Sequence, residues 1–89
     1  MPTVNLIVKG KVQGVFFRAE AKESADKLGV KGWIKNHDDG NVEIMAKGTD
    51  QELEAFIDWC RNGPHKANVT NVIVTPLHID NLDSFEIVR

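Results

Sequence analysis

Only one cysteine, Cys60, stands among the 89 residues. A lone thiol excludes an intrachain disulfide framework and fits a reducing compartment. Positive charge is not in excess either: 11 Lys and Arg face 13 Asp and Glu, a net charge of -2. That balance excludes a nucleic-acid binder whose affinity rests on neutralising phosphates. No apolar run approaches the roughly 20 residues of a membrane span. Met1-Pro2-Thr3 leads straight into strand-like sequence, with no basic region followed by an apolar one. No signal peptide is read there, and the cytoplasm is the expected compartment. Low-complexity segments, repeats and linkers are missing, so residues 1–89 are expected to form one small domain. What is present suffices for that: 42% hydrophobic residues for a core and 27% charged residues for its surface.

The stretch richest in chemistry is Val8-Lys9-Gly10-Lys11-Val12-Gln13-Gly14-Val15-Phe16-Phe17-Arg18. It begins as a strand and ends in the first turn of a helix. The connection at residues 10–16 holds two glycines and no acidic residue. Glycine permits positive φ and close approach of a ligand to the backbone. The helix start offers unpaired N–H groups and the positive end of a dipole, a place suited to phosphate. Arg18 falls in that first turn, where a planar fork adds bidentate hydrogen bonds and a permanent charge. The stretch reads as a phosphate cradle with an arginine clamp.

The remaining pattern supplies the scaffold. Val4, Leu6 and Val8 alternate with Asn5, Ile7 and Lys9 as a first, central strand. Phe17, Ala21, Ala25 and Leu28 recur at helical spacing, and Gly29 is placed to end that helix. Residues 30–36 read as a second strand, His37-Asp38-Asp39-Gly40 as a turn, and residues 42–47 as a third strand paired to the second. Thr49 and Glu52 have capping-box spacing. Leu53, Phe56, Ile57 and Cys60 then form the buried stripe of a second helix that Gly63-Pro64 stops. Residues 68–75 read as a fourth strand closed by Pro76, residues 77–83 as irregular, and residues 84–88 as a short fifth strand. The order βαββαβ with one strand appended predicts an α+β, ferredoxin-like sandwich, both helices on one face of an antiparallel sheet. Strands one and two are then parallel with strand three between them, so their C-terminal ends share one edge. The cradle and Asn36 are expected side by side there.

The sequence resembles the acylphosphatase family. The residue 8–18 stretch has the form of the family's first signature. Gly32-Trp33-Ile34-Lys35-Asn36, followed by Gly40, Val42 and Gly48, has the form of the second. Order, spacing and length agree over essentially the whole chain. Ile34 departs from the family's usual smaller residue, and no tyrosine is present; neither bears on the chemistry. The resemblance implies hydrolysis of the carboxyl–phosphate bond of acyl phosphates, with no metal and no cofactor. By the match, Arg18 binds the phosphate, Asn36 orients the attacking water, and the backbone amides of Gly14, Val15, Phe16, Phe17 and Arg18 form the phosphate-binding loop. The implied partner is a small acyl phosphate, acting on a monomer without nucleic acid or membrane.

Each residue also has a plainer reading. Gly10 and Gly14 could make only a tight turn, Arg18 could lie on the surface with its stem on the core, and Asn36 could be a turn former. Phe16 and Phe17 read as core anchors and Cys60 as a core residue. His65 and His78 read as solvent-facing. Lys9, Lys11 and Lys35 could steer anions. His37, Asp38 and Asp39, three consecutive turn residues, point apart and are not read as metal ligands. The rival function is a non-catalytic ferredoxin-like module that binds a small anion. An RNA-binding module would carry aromatics on strand three, and residues 41–47 have none. A carbamoyl-transfer domain of a larger maturation protein is a third possibility, which the stand-alone length disfavours.

Overall fold

A computed structural model describes residues 2–78 and 82–88. Along the chain run β1 (Thr3–Lys11), α1 (Phe17–Leu28), β2 (Lys31–Asn36), β3 (Val42–Lys47), α2 (Asp50–Asn62), β4 (Asn68–Leu77) and β5 (Phe85–Val88). They build one five-stranded sheet in the order β4-β1-β3-β2-β5. The first four strands pair antiparallel, as the ferredoxin-like order requires. The appended β5 pairs parallel to β2, with Ile34 opposite Ile87, so the five-stranded sheet is mixed. Two contacts dock β5 in place: Gly32 N–H donates to the Ser84 carbonyl at 2.8 Å, and Lys22 Nζ to the Phe85 carbonyl at 2.9 Å.

Period-two alternation decides the layers. Val4, Leu6 and Val8 of β1, Ile34 of β2, and Val42, Ile44 and Ala46 of β3 are buried. They share one core with Phe17, Ala21 and Ala25 of α1 and Leu53, Phe56 and Cys60 of α2. Each fully buried large side chain contributes about 1.5–3 kcal/mol. Ile34, the departure from the second signature, lies wholly within this core, so it affects packing alone. Phe85 of β5 closes the core edge-on against Phe56, ring centroids 5.7 Å apart.

Two expectations need correction. Pro76 does not close the fourth strand: β4 runs through it to Leu77, with Pro76 opposite Val4. β4 is an edge strand, where a missing N–H is tolerated. Phe17 is a core anchor at 2% exposure, but Phe16 is not, at 74%. Its φ of 63° turns its side chain away from the core that Phe17 enters. In the stretch expected to be irregular, residues 79–81 lie outside the described residues.

Strand ends position the site. β1 and β2 flank β3, and both ladders reach Val42, the first residue of β3: Val8 and Asn36 each pair with it. Beyond that rung, β1 continues only against β4 and bulges between Lys9 and Gly10. Gly10 has φ 121°, and a Cβ there would lie 2.1 Å from the Asn68 carbonyl oxygen. The bulge bends the chain into the connection that leads to α1.

Candidate active site

The two helices start differently. α2 carries a full capping box: Thr49 Oγ1 accepts from Glu52 N–H, and Glu52 Oε1 accepts from Thr49 N–H. α1 begins behind Phe16, and no side chain caps it. Its first-turn amides are left for another acceptor, at the positive end of the dipole. Just before them Gly14 (φ 72°) and Phe16 (φ 63°) are left-handed, with Val15 between them not so. Such alternation gathers successive N–H groups into an anion-binding concavity. Nothing lies within 4 Å of a Cβ built on Gly14, so its backbone conformation, not packing, favours glycine there. Phe16 adopts the same region at a cost of about 1–2 kcal/mol.

Phe17 fixes the helix end. It is buried edge-on against Trp59, centroids 5.4 Å apart, and sits against Gly63 at the end of α2. Arg18 follows it, half-buried. Arg18, Asn36, Gly14, Phe16 and Phe17 line one cleft of about 310 Å³. Val15 does not line it; its side chain belongs to the core. Among the described residues, no protein group bonds or pairs with the side chains of Arg18 or Asn36. A larger groove of about 950 Å³ lies between α2 and the Leu77 end of β4. Three carboxylates line it, Asp50, Glu54 and Asp58, against one arginine, Arg61, a balance that disfavours phosphate.

Four lining residues had been given no role: Val12, Gln13, Ala19 and Ile87. Ile87 arrives through the parallel docking of β5, which no local pattern announces. Gln13 Nε2 donates to the carbonyls of His37 (2.7 Å) and Asn41 (2.9 Å). These belong to the turn after Asn36, itself closed by His37 N–H to Asn41 carbonyl at 2.9 Å. Asp39 accepts from the Asn41 backbone N–H at 2.9 Å. His37 and Asp39 thus serve the turn's own structure. Among the described residues no group of three His, Cys, Asp or Glu side chains gathers as a metal site.

Beside the turn, Glu43 binds His37 Nε2 through Oε1 (2.6 Å) and accepts from Asn5 Nδ2 through Oε2 (2.7 Å). Burial by itself would raise its carboxyl. The hydrogen bonds from His37 and Asn5 and the charges of His37 and Lys35 outweigh that and hold it below the usual carboxylate value. Lys35 lies 3.9 Å from Glu43 and over the Trp33 ring, so its charge is partly matched, whereas Lys9 and Lys11 are exposed. His65 and His78 are exposed. Cys60 is buried, and burial pushes its thiol up, leaving it protonated and inert.

The acylphosphatase family model matches residues 4–87. The chain belongs to the acylphosphatase family. Among its relatives is an acylphosphatase of Haloarcula marismortui, 42% identical over 83 residues, covering 93% of this chain and 91% of that one. The crystal structure of acylphosphatase from Bacillus subtilis superposes with a TM-score of 0.96 at 40% identity, covering 100% of both chains. A full-length HypF is similar too, at 24% identity and a TM-score of 0.87, over 99% of this chain but 12% of that one. That likeness shows the fold alone.

Proposed function

We propose that this acylphosphatase-family chain hydrolyses the carboxyl–phosphate bond of acyl phosphates by direct attack of water on phosphorus. Arg18 and the backbone amides of residues 14–18 hold the phosphate. Asn36 holds the water. The observation that carries the reading is the shared cleft: Arg18 and Asn36 line it together, and neither has a protein partner among the described residues.

The chemistry needs few groups. The leaving group is a carboxylate whose conjugate acid has a pKa of about 4, so it departs without a general acid. Phosphoryl transfer then rests on positioning and charge stabilisation. Arg18 supplies a fixed fork for two phosphoryl oxygens, and the uncapped α1 amides supply donors to the rest. No metal or cofactor enters this scheme. The Asn36 amide accepts one hydrogen bond from water and donates another, aiming its oxygen along the line opposite the leaving group. A phosphoryl oxygen takes the water's proton, giving inorganic phosphate and the free carboxylate. We read the chain as one domain over residues 1–89, acting as a cytoplasmic monomer on a small substrate without nucleic acid. Among the described residues no helix is long and apolar enough to cross a membrane.

Hydrolysis of benzoyl phosphate, with a chelator present and inorganic phosphate as inhibitor, tests this. Turnover unaffected by chelation and competitively inhibited by phosphate is expected. Asn36→Ala should lower kcat far more than phosphate affinity. A folded protein that binds phosphate without turnover would instead be a small-anion-binding module.

A further inference from the structure

We infer that Gln13 is a positioning residue, whose side-chain amide joins the phosphate cradle to the turn after Asn36 and thereby sets the distance between held phosphate and held water. The inference rests on the roles proposed above for Arg18 and Asn36.

The sheet leaves this joint to a side chain. β1 and β2 do not pair with each other; β3 separates them, at two strand spacings of about 10 Å. Both ladders end at Val42, while the cradle (residues 12–16) and the turn (residues 37–41) project beyond that rung. No backbone hydrogen bond joins the two projections among the described residues. Gln13 does, across 24 and 28 residues of sequence. Its two acceptors are the carbonyls that close the turn: Asn41 O also receives His37 N–H, and His37 O also receives Gly40 N–H at 3.2 Å. Two carbonyls facing one amide settle its orientation, since only the NH2 end can donate to both.

The same geometry separates Gln13 from the substrate-binding groups. Both of its N–H donors are used on the turn, so no donor is left for a phosphate oxygen. What two short bonds from one planar group do is fix a distance. In-line displacement is sensitive to that distance: a misplacement of about 1 Å lowers rates by roughly 100-fold. Asn36 directly precedes His37, whose carbonyl Gln13 holds, so the water-bearing amide is tethered at its base to the loop that carries the phosphate.

A double-mutant cycle on the full chain tests this, with Gln13→Met, Asn36→Ala and the double variant. Each is assayed for kcat and KM with benzoyl phosphate and for Ki with inorganic phosphate. Gln13→Met should lower kcat at least about tenfold while Ki stays within about twofold, because the cradle keeps its own donors. In the Asn36→Ala background, Gln13→Met should change kcat by less than about twofold, since no held water remains to misplace. Equal losses in both backgrounds would overturn the inference, as would a Ki that rises in step with the fall in kcat. If Asn36→Ala alone leaves kcat unchanged, the role of Asn36 fails and the inference falls with it. An Asn36→Ala loss with additive Gln13 loss refutes only the inference. Gln13→Leu, which has neither a donor nor a charge, repeats the cycle as the second variant. Stabilisation by phosphate against thermal unfolding shows that each variant is folded with its cradle intact.

Discussion

Arg18→Lys keeps the charge proposed to hold the phosphate and removes the planar fork. Arg18 is the second residue of α1 and has no protein partner among the described residues. Lysine and arginine have near-equal helix propensity, so unfolding free energy should change by less than about 0.5 kcal/mol. The site loses more. A fork makes two parallel charge-assisted bonds to phosphate, whereas an ammonium acts as a point charge. One such bond is worth about 1.5–3 kcal/mol, which lowers kcat/KM roughly 10- to 150-fold. Initial rates with benzoyl phosphate, alongside urea unfolding of the same preparations, give both numbers. A kcat/KM within about threefold of the parent would remove the bidentate role. A destabilisation above about 2 kcal/mol would make Arg18 a structural residue instead.

Gly10→Ala should act through the sheet: its Cβ would meet the Asn68 carbonyl oxygen at 2.1 Å and Thr70 N at 2.8 Å, both backbone atoms. β1 and β4 must part at the bulge, so a loss of about 2–4 kcal/mol is expected in urea unfolding, and an unchanged midpoint would disprove the close approach. Glu43 gives an acid-side prediction. Its carboxyl lies below its ordinary value of 4.5 in the folded chain, so the unfolded state takes up the proton first as pH falls. The stabilisation, about 1 kcal/mol for a partly exposed charge-assisted cluster, is therefore present above that value and lost as pH drops through the lower folded one. The unfolding free energy of the parent should exceed that of Glu43→Gln well above pH 4.5, and the difference should shrink as pH falls below that value; a difference independent of pH would refute the cause.

Much of this was legible along the chain. Val4, Leu6 and Val8 declared their buried face by alternation, Thr49 and Glu52 their capping box by spacing, and Gly29 its helix end. Arg18 and Asn36 stood in two long signatures. Phe16 was not legible, because two adjacent phenylalanines look alike until φ decides which one enters the core. Pro76 reads as a strand terminator wherever the strand's place in the sheet is unknown. Gln13 shows no local pattern at all, since its partners lie 24 and 28 residues away.

By itself, the sequence determined the elements, the face each strand and helix buries, and the chemical groups brought to the site. These follow from side-chain periodicity and turn chemistry, which act over a few residues. Tertiary structure alone decided that Ile87 reaches the cleft, that α1 starts behind an exposed, left-handed Phe16, and that one glutamine amide spans the gap where no backbone ladder runs. Those are distances between residues far apart in the chain, and they exist only once strand order has set which loops project from the same edge.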